Sequence, residues 1–157
     1  MEKKVLFLCT KNSARSQMAE AILNTKGNAN FIAFSAGSQP ADDINTYAQV
    51  VMEEIGIDIS GYKPKSVEQF LNEEFDFIIT LCDKAKNECP TLLNDAIYAH
   101  WGITDPRDFK GTEEEIINHF KKIRNELTTR INLFMSLPID KLNKATFRKK
   151  LDEMISK

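Results

Sequence analysis

The chain has 157 residues, 42% of them hydrophobic and 28% charged, with a formal net charge of -2; this is one domain with enough apolar material for a shared core. A balance so close to neutral gives no sign of a nucleic-acid or membrane partner, and no apolar run is long enough to span a bilayer. The VLFL run before Cys9 is too short for a signal-peptide core, so the expected compartment is the cytoplasm, where thiols stay reduced.

The first predicted element is a strand over Lys4 to Cys9 (KVLFLC). It gives way to Thr10, Lys11, Asn12, Ser13 and Ala14, and then to a helical pattern from Arg15 to Lys26. A loop of this length between a strand and a helix N-terminus can curl until successive backbone N–H groups point inward, making a concave anion site. Arg15 adds a planar fork suited to a tetrahedral oxyanion. The same positive surroundings are expected to lower the Cys9 thiol below its ordinary value and so favour the thiolate nucleophile. Ser16 is placed to donate a hydrogen bond to that sulfur, and Asn12 suits the left-handed backbone position that such a loop needs. The bland alternative is a buried strand-end cysteine followed by a solvated arginine.

Further strands are expected at Asn30 to Ser35, Asp76 to Leu81 and Ala96 to Ala99. Helical patterns cover Asp42 to Glu54, a short stretch near Ser66 to Leu71, and Glu113 to Met135. Asp42 and Asp43 read as a helix start after Pro40, and Gly56 as its stop. After Pro138 the tail carries Phe147, Leu151, Met154 and Ile155 at helical spacing, the pattern of a short amphipathic helix docked on the body. The expected organisation is therefore a domain over residues 1–137 with a helical extension over 138–157 packed on it.

Apolar strands alternating with helices imply an α/β fold: a three-layer sandwich with a central four-stranded parallel sheet covered by helices on both faces. Ligands in such sheets bind at the carboxyl ends of the strands. Cys9, Ser35, Cys82 and the segment after Ala99 all fall at such ends, so they are expected to converge. Three cysteines cannot all pair, and the odd count points to one pair and one thiol with its own task.

The stretch VLFLCTKNSARSQMAEAIL, followed by FSAG at Phe34 to Gly37, EIGIDIS at Glu54 to Ser60 and WGITDP at Trp101 to Pro106, resembles the arsenate reductases built on the low-molecular-weight tyrosine phosphatase fold. The likeness covers about residues 4 to 136. It implies that Cys9 is the nucleophile, that the backbone of Thr10 to Arg15 with the Arg15 guanidinium cradles the oxyanion, and that Asp105 is the general acid. An acid has its own rationale, since an oxygen is expelled and leaves more readily when protonated.

Cys82 and Cys89, in TLCDKAKNECP, separate the reductase branch from the phosphatase branch. A phosphatase has no use for two further thiols, whereas a reductase without a flavin or nicotinamide fingerprint needs an electron source. No cofactor is expected. The resemblance implies a relay: Cys9 attacks arsenate, Cys82 attacks Cys9 and releases arsenite, and Cys89 then forms a disulfide with Cys82 that thioredoxin reduces. A glutathione and glutaredoxin system is the other candidate reductant. Seven helical steps would place the Cα atoms of Cys82 and Cys89 ~10 Å apart, and a disulfide needs them within ~7 Å. The segment is therefore expected to be at least partly helical when reduced and looped out when oxidised.

Other residues refine the expectation. Phosphatases of the superfamily follow Asp-Pro with tyrosines, where this chain has Arg107, Asp108 and Phe109; Lys11 stands where many relatives have glycine. Some reductases bind potassium through residues matching Asn12, Glu20 and Ser35 plus a later carboxylate. That later segment here reads GYKPKS, which lacks the acid and suggests the ammonium of Lys63 or Lys65 in the cation's place. No metal is expected: the spacing of Cys82 and Cys89 is wrong for zinc, and His100 and His119 read as structural. Phosphate or sulfate should also fit the cradle, and a monomer is expected. The alternatives are a low-molecular-weight tyrosine phosphatase, a phosphocarrier holding phosphate on a strand-end cysteine, and a structural protein with an accidental motif.

Overall fold

A computed structural model describes residues 2–27, 30–82 and 96–137 of the chain. Residues 83–95, Cys89 among them, and the tail from 138 onward lie outside the described residues. The expectations for them, the redox-dependent segment and the docked terminal helix, carry over unchanged.

Four strands, β1 (Lys3–Cys9), β2 (Phe31–Gly37), β3 (Phe77–Thr80) and β4 (Ile97–His100), form one sheet in the order β2-β1-β3-β4. Every pairing is parallel, with Cys9 opposite Gly37 and Leu8 opposite Thr80. The chain leaves β1 toward β2 on one side and later returns to β3 on the other. Cys9 therefore ends the strand at which the winding reverses, where parallel sheets open a crevice.

The alternation along β1 separates two cores. Val5 and Phe7 join Ala33, Phe77 and Ile79 beneath helices α1 (Arg15–Lys26), α2 (Thr46–Glu53) and α3 (Glu113–Met135). Leu6 and Leu8 face the other way with Ala36 and Ile78, under Val67 and Phe75. There a 3-10 turn over Val67–Phe70 takes the place of the short helix expected near Ser66 to Leu71, and Phe70 packs on Phe34 and Phe75. The α/β sheet covered on both faces is thus the observed architecture.

Most strand ends shift by a single residue from expectation, and two boundaries differ by more. Helix α2 begins at Thr46 rather than Asp42, because the Asn45 side chain, not an aspartate, accepts from the Tyr47 and Ala48 N–H groups. Its end is as expected: Gly56 has φ +79°, the Gly56 N–H donates to the Glu53 carbonyl and the Ile57 N–H to the Met52 carbonyl, a Schellman closure. Strand β2 continues to Gly37, so Ser35 lies inside the strand and donates from Oγ to Glu20 at 3.1 Å instead of reaching the crevice.

Helix α3 matches its predicted span. A capping box starts it, with Thr112 and Glu115 bonded reciprocally, and its buried stripe is Phe120, Ile123, Leu127, Ile131 and Phe134. From that stripe Phe134 meets the fully buried Trp101, which also meets Phe7. Arg130 donates to the Trp101 carbonyl at 2.8 Å. The segment after β4 is thereby pinned to the core a few residues before Asp105.

Candidate active site

The loop after Cys9 is built as its sequence predicts. Asn12 adopts φ +52°, the single left-handed non-glycine position among the described residues. Its side chain organises the turn: Oδ1 accepts from the Gln17 Nε2 at 2.9 Å and the Lys65 N–H at 2.8 Å, and Nδ2 donates to Ser16 Oγ at 2.7 Å. Outside the loop, the carbonyls of Thr10, Lys11 and Ser13 accept from the N–H groups of Gln39, Ala41 and Asn45. These carbonyls are engaged away from the nucleophile, and the Thr10 N–H points at the Cys9 sulfur. The backbone of β2 comes so near that a Cβ at Gly37 would stand 2.5 Å from the Thr10 oxygen. That contact explains the glycine of FSAG.

Thr10, Asn12, Ser13, Ala14 and Ser16 are buried with Cys9, and Lys11 is half-buried. Arg15 is 5% exposed, which removes the alternative of a solvated helix residue. A buried guanidinium needs partners. It donates to the Ile103 carbonyl at 2.8 Å and lies 3.3 Å from Asp105 Oδ2.

Cys82 is buried beside Cys9 in the same cluster, close enough for each thiol to act on the other's proton. The Cys82 sulfur also lies 3.3 Å from Thr10 Oγ1. This juxtaposition corrects one expectation, that the cradle lowers the Cys9 thiol. The Cys82 hydrogen bond first, and burial second, raise Cys9 well above an ordinary cysteine; the Arg15 charge and the Thr10 N–H act in the lowering direction and do not prevail. Two sulfurs in contact do not both ionise easily.

Asp105 comes to the crevice from the segment after β4. It caps a 3-10 turn over Pro106–Asp108 by accepting from the Arg107 N–H. The Arg107 guanidinium grips the same carboxylate, Nε to Oδ1 at 3.0 Å and Nη2 to Oδ2 at 2.8 Å. Burial pulls the Asp105 carboxyl upward, but the hydrogen bonds from Arg107 and the charge of Arg15 outweigh it and hold it below the ordinary aspartate value.

The structure thus brings together Cys9, Thr10 to Ser16, Cys82 and Asp105. It leaves the histidines elsewhere: His100 Nδ1 is 2.7 Å from Thr80 Oγ1, and His119 stacks on Phe109 at 4.4 Å. Of the two lysines considered, Lys65 reaches Glu20, its Nζ 3.3 Å from Oε1, whereas Lys63 pairs with Asp43 at 3.7 Å. Sequence reasoning did not foresee Gln17, whose role depends on the fold of the loop. Nor did it foresee the grip of Arg107, although a position two residues past a turn-capping aspartate is a readable signal.

The family model for low molecular weight phosphotyrosine protein phosphatase matches residues 4–150. An arsenate reductase from Halalkalibacterium halodurans is 40% identical over 135 residues, 85% of this chain and 96% of that protein. Among solved structures, an arsenate reductase in the phosphate-binding state is 31% identical with a TM-score of 0.73, covering 85% of this chain and 97% of that one. A thioredoxin-dependent arsenate reductase from Corynebacterium glutamicum is 29% identical with a TM-score of 0.57, covering 83% of this chain and 62% of that one. The protein belongs to the low-molecular-weight phosphotyrosine protein phosphatase family.

Proposed function

We propose that this member of the family reduces arsenate to arsenite, in the cytoplasm and for arsenic detoxification, with thioredoxin as the electron donor. The observation that carries the reading is Cys82: a second buried thiol beside the nucleophile, its sulfur 3.3 Å from Thr10 Oγ1 of the oxyanion loop. Ester hydrolysis gives such a thiol no task, whereas reduction requires it.

Each step conserves electrons. The Cys9 sulfur displaces one oxygen of arsenate, forming an S–As bond and releasing water without any change of oxidation state. Cys82 then attacks the Cys9 sulfur. The S–S bond forms, the S–As pair of electrons stays on arsenic, and arsenite departs. Cys89 attacks Cys82 in turn, freeing Cys9, and the 82 to 89 disulfide is reduced by a dithiol partner. Arg15 and the loop N–H groups hold the oxyanion through the first two steps. Thr10 stands where its hydroxyl can stabilise a thiolate at Cys82. Three ordered thiols in one chain favour thioredoxin over a glutathione system, and all lie in a single copy, which supports a monomer.

The deciding experiment is thioredoxin-coupled consumption of NADPH with arsenate, for wild type, Cys82→Ser and Cys89→Ser. Turnover should vanish in both variants. Undiminished turnover in both would overturn the relay in favour of a tyrosine phosphatase, which needs Cys9, Arg15 and Asp105 and loses little when either thiol becomes serine.

A further inference from the structure

Asp105 has both carboxylate oxygens occupied. Oδ1 accepts from the backbone N–H of Arg107 at 2.9 Å and from its Nε at 3.0 Å. Oδ2 accepts from Arg107 Nη2 at 2.8 Å and faces Arg15 Nη2 at 3.3 Å. A carboxyl group can protonate a departing oxygen only when it carries a proton. Two guanidinium groups converging on one carboxylate oppose that state.

We propose that Arg107 is a specificity-determining residue: its fork keeps Asp105 an acceptor, so the site takes oxyanions whose departing oxygen is a hydroxyl and discriminates against aryl phosphate monoesters. The inference rests on the arsenate reading above. In dihydrogen arsenate, attack by Cys9, once its thiol has given up its proton, forms S–As and breaks one As–OH bond; the oxygen leaves as water, with the proton it already carries and one from the second hydroxyl. In an aryl phosphate, attack forms S–P and breaks the bond from phosphorus to the aryl oxygen. That oxygen carries no proton, so it leaves as phenol only if one is supplied. Asp105 is the group in position to supply it, and Arg107 withholds it. Asp105 in turn faces Arg15 at the end of the oxyanion loop, so the grip sits at the oxyanion cradle.

The test compares kcat/KM for phenyl phosphate, whose leaving group needs a proton, with that for p-nitrophenyl phosphate, whose leaving group does not. Wild type, Arg107→Met, Arg107→Lys and the double variant Arg107→Met with Asp105→Asn are assayed, each preparation also with arsenate and thioredoxin. In Arg107→Met the phenyl to p-nitrophenyl ratio should rise on the order of 10²-fold, the usual worth of a positioned acid. Arg107→Lys, which keeps the charge and loses the fork, should fall between. The gain should disappear in the double variant. An unchanged ratio in Arg107→Met, no phenyl phosphate hydrolysis by it, or a gain that survives loss of Asp105 would each overturn the proposal. Failure of the wild type to reduce arsenate would overturn the arsenate reading instead, and the ratio would still decide the role of Arg107.

Discussion

At Gly37 the cost of a single methyl can be stated in advance. A Cβ there meets the Thr10 carbonyl oxygen at 2.5 Å and the Cys9 oxygen at 3.0 Å, both backbone atoms that cannot swing aside. Gly37→Ala should therefore displace the oxyanion loop, and the expected result is a loss of arsenate turnover of at least ~10-fold, checked by the same coupled assay. Arg15→Lys should be nearly as severe, because a lysine cannot reach both the Ile103 carbonyl and Asp105 with a planar fork; a drop in affinity for phosphate as competitor would report it. Lys65 has a different consequence. With its ammonium on Glu20, turnover in potassium chloride and in sodium chloride at equal ionic strength should be the same, and selective activation by potassium would refute that assignment. Cys9, Arg15 and the left-handed Asn12 were legible because a strand, a loop of fixed length and a helix start leave few arrangements. The protonation of Cys9 was not, because it is set by a residue more than seventy positions away.

The elements show where local signals compete. Asp42 and Asp43 are as good helix starters as Asn45, and nothing local ranks them. The choice falls to Asn45 because the backbone of residues 39 to 45 is already committed to the carbonyls of the oxyanion loop, a tertiary demand that overrides propensity. Helix α3 was read to its bounds because capping box and apolar stripe agree. Thr112→Ala should cost about 1 kcal/mol of stability, seen as a lower melting temperature. The Thr112 backbone N–H, and then its side chain, hold the Glu115 carboxyl below the usual glutamate value. That contribution is complete above the ordinary glutamate value and fades as the pH falls through the lowered one. Ser35 marks the opposite case, since two extra residues of strand moved it from the crevice to the Glu20 contact.

At the scale of the molecule, the order β2-β1-β3-β4 places Cys9 at the point where the winding reverses, and the loops after β1, β3 and β4 supply the rest. The parallel sheet and its convergence were readable from the alternation of apolar strands and helices. Which face each helix covers was not, since periodicity fixes a buried stripe and not its partner. The cradle draws on several parts of the chain at once, so an oxyanion that fills it should stabilise the whole fold. Sulfate or phosphate at a hundred times its dissociation constant is expected to add about 2.7 kcal/mol, and Arg15→Lys should abolish most of the resulting rise in melting temperature.

Trp101 gives this arrangement an optical consequence. It is the chain's one tryptophan, fully buried between Phe7 and Phe134, with its carbonyl held by Arg130 and its own segment carrying Ile103 and Asp105 to the guanidinium of Arg15. Its emission should be blue-shifted in the resting protein, and any change when the oxyanion binds or the thiols oxidise comes from one known place. The protein thus carries an intrinsic fluorophore wired to its own reaction centre, and a stopped-flow trace of the unlabelled wild type can time each turn of the cycle.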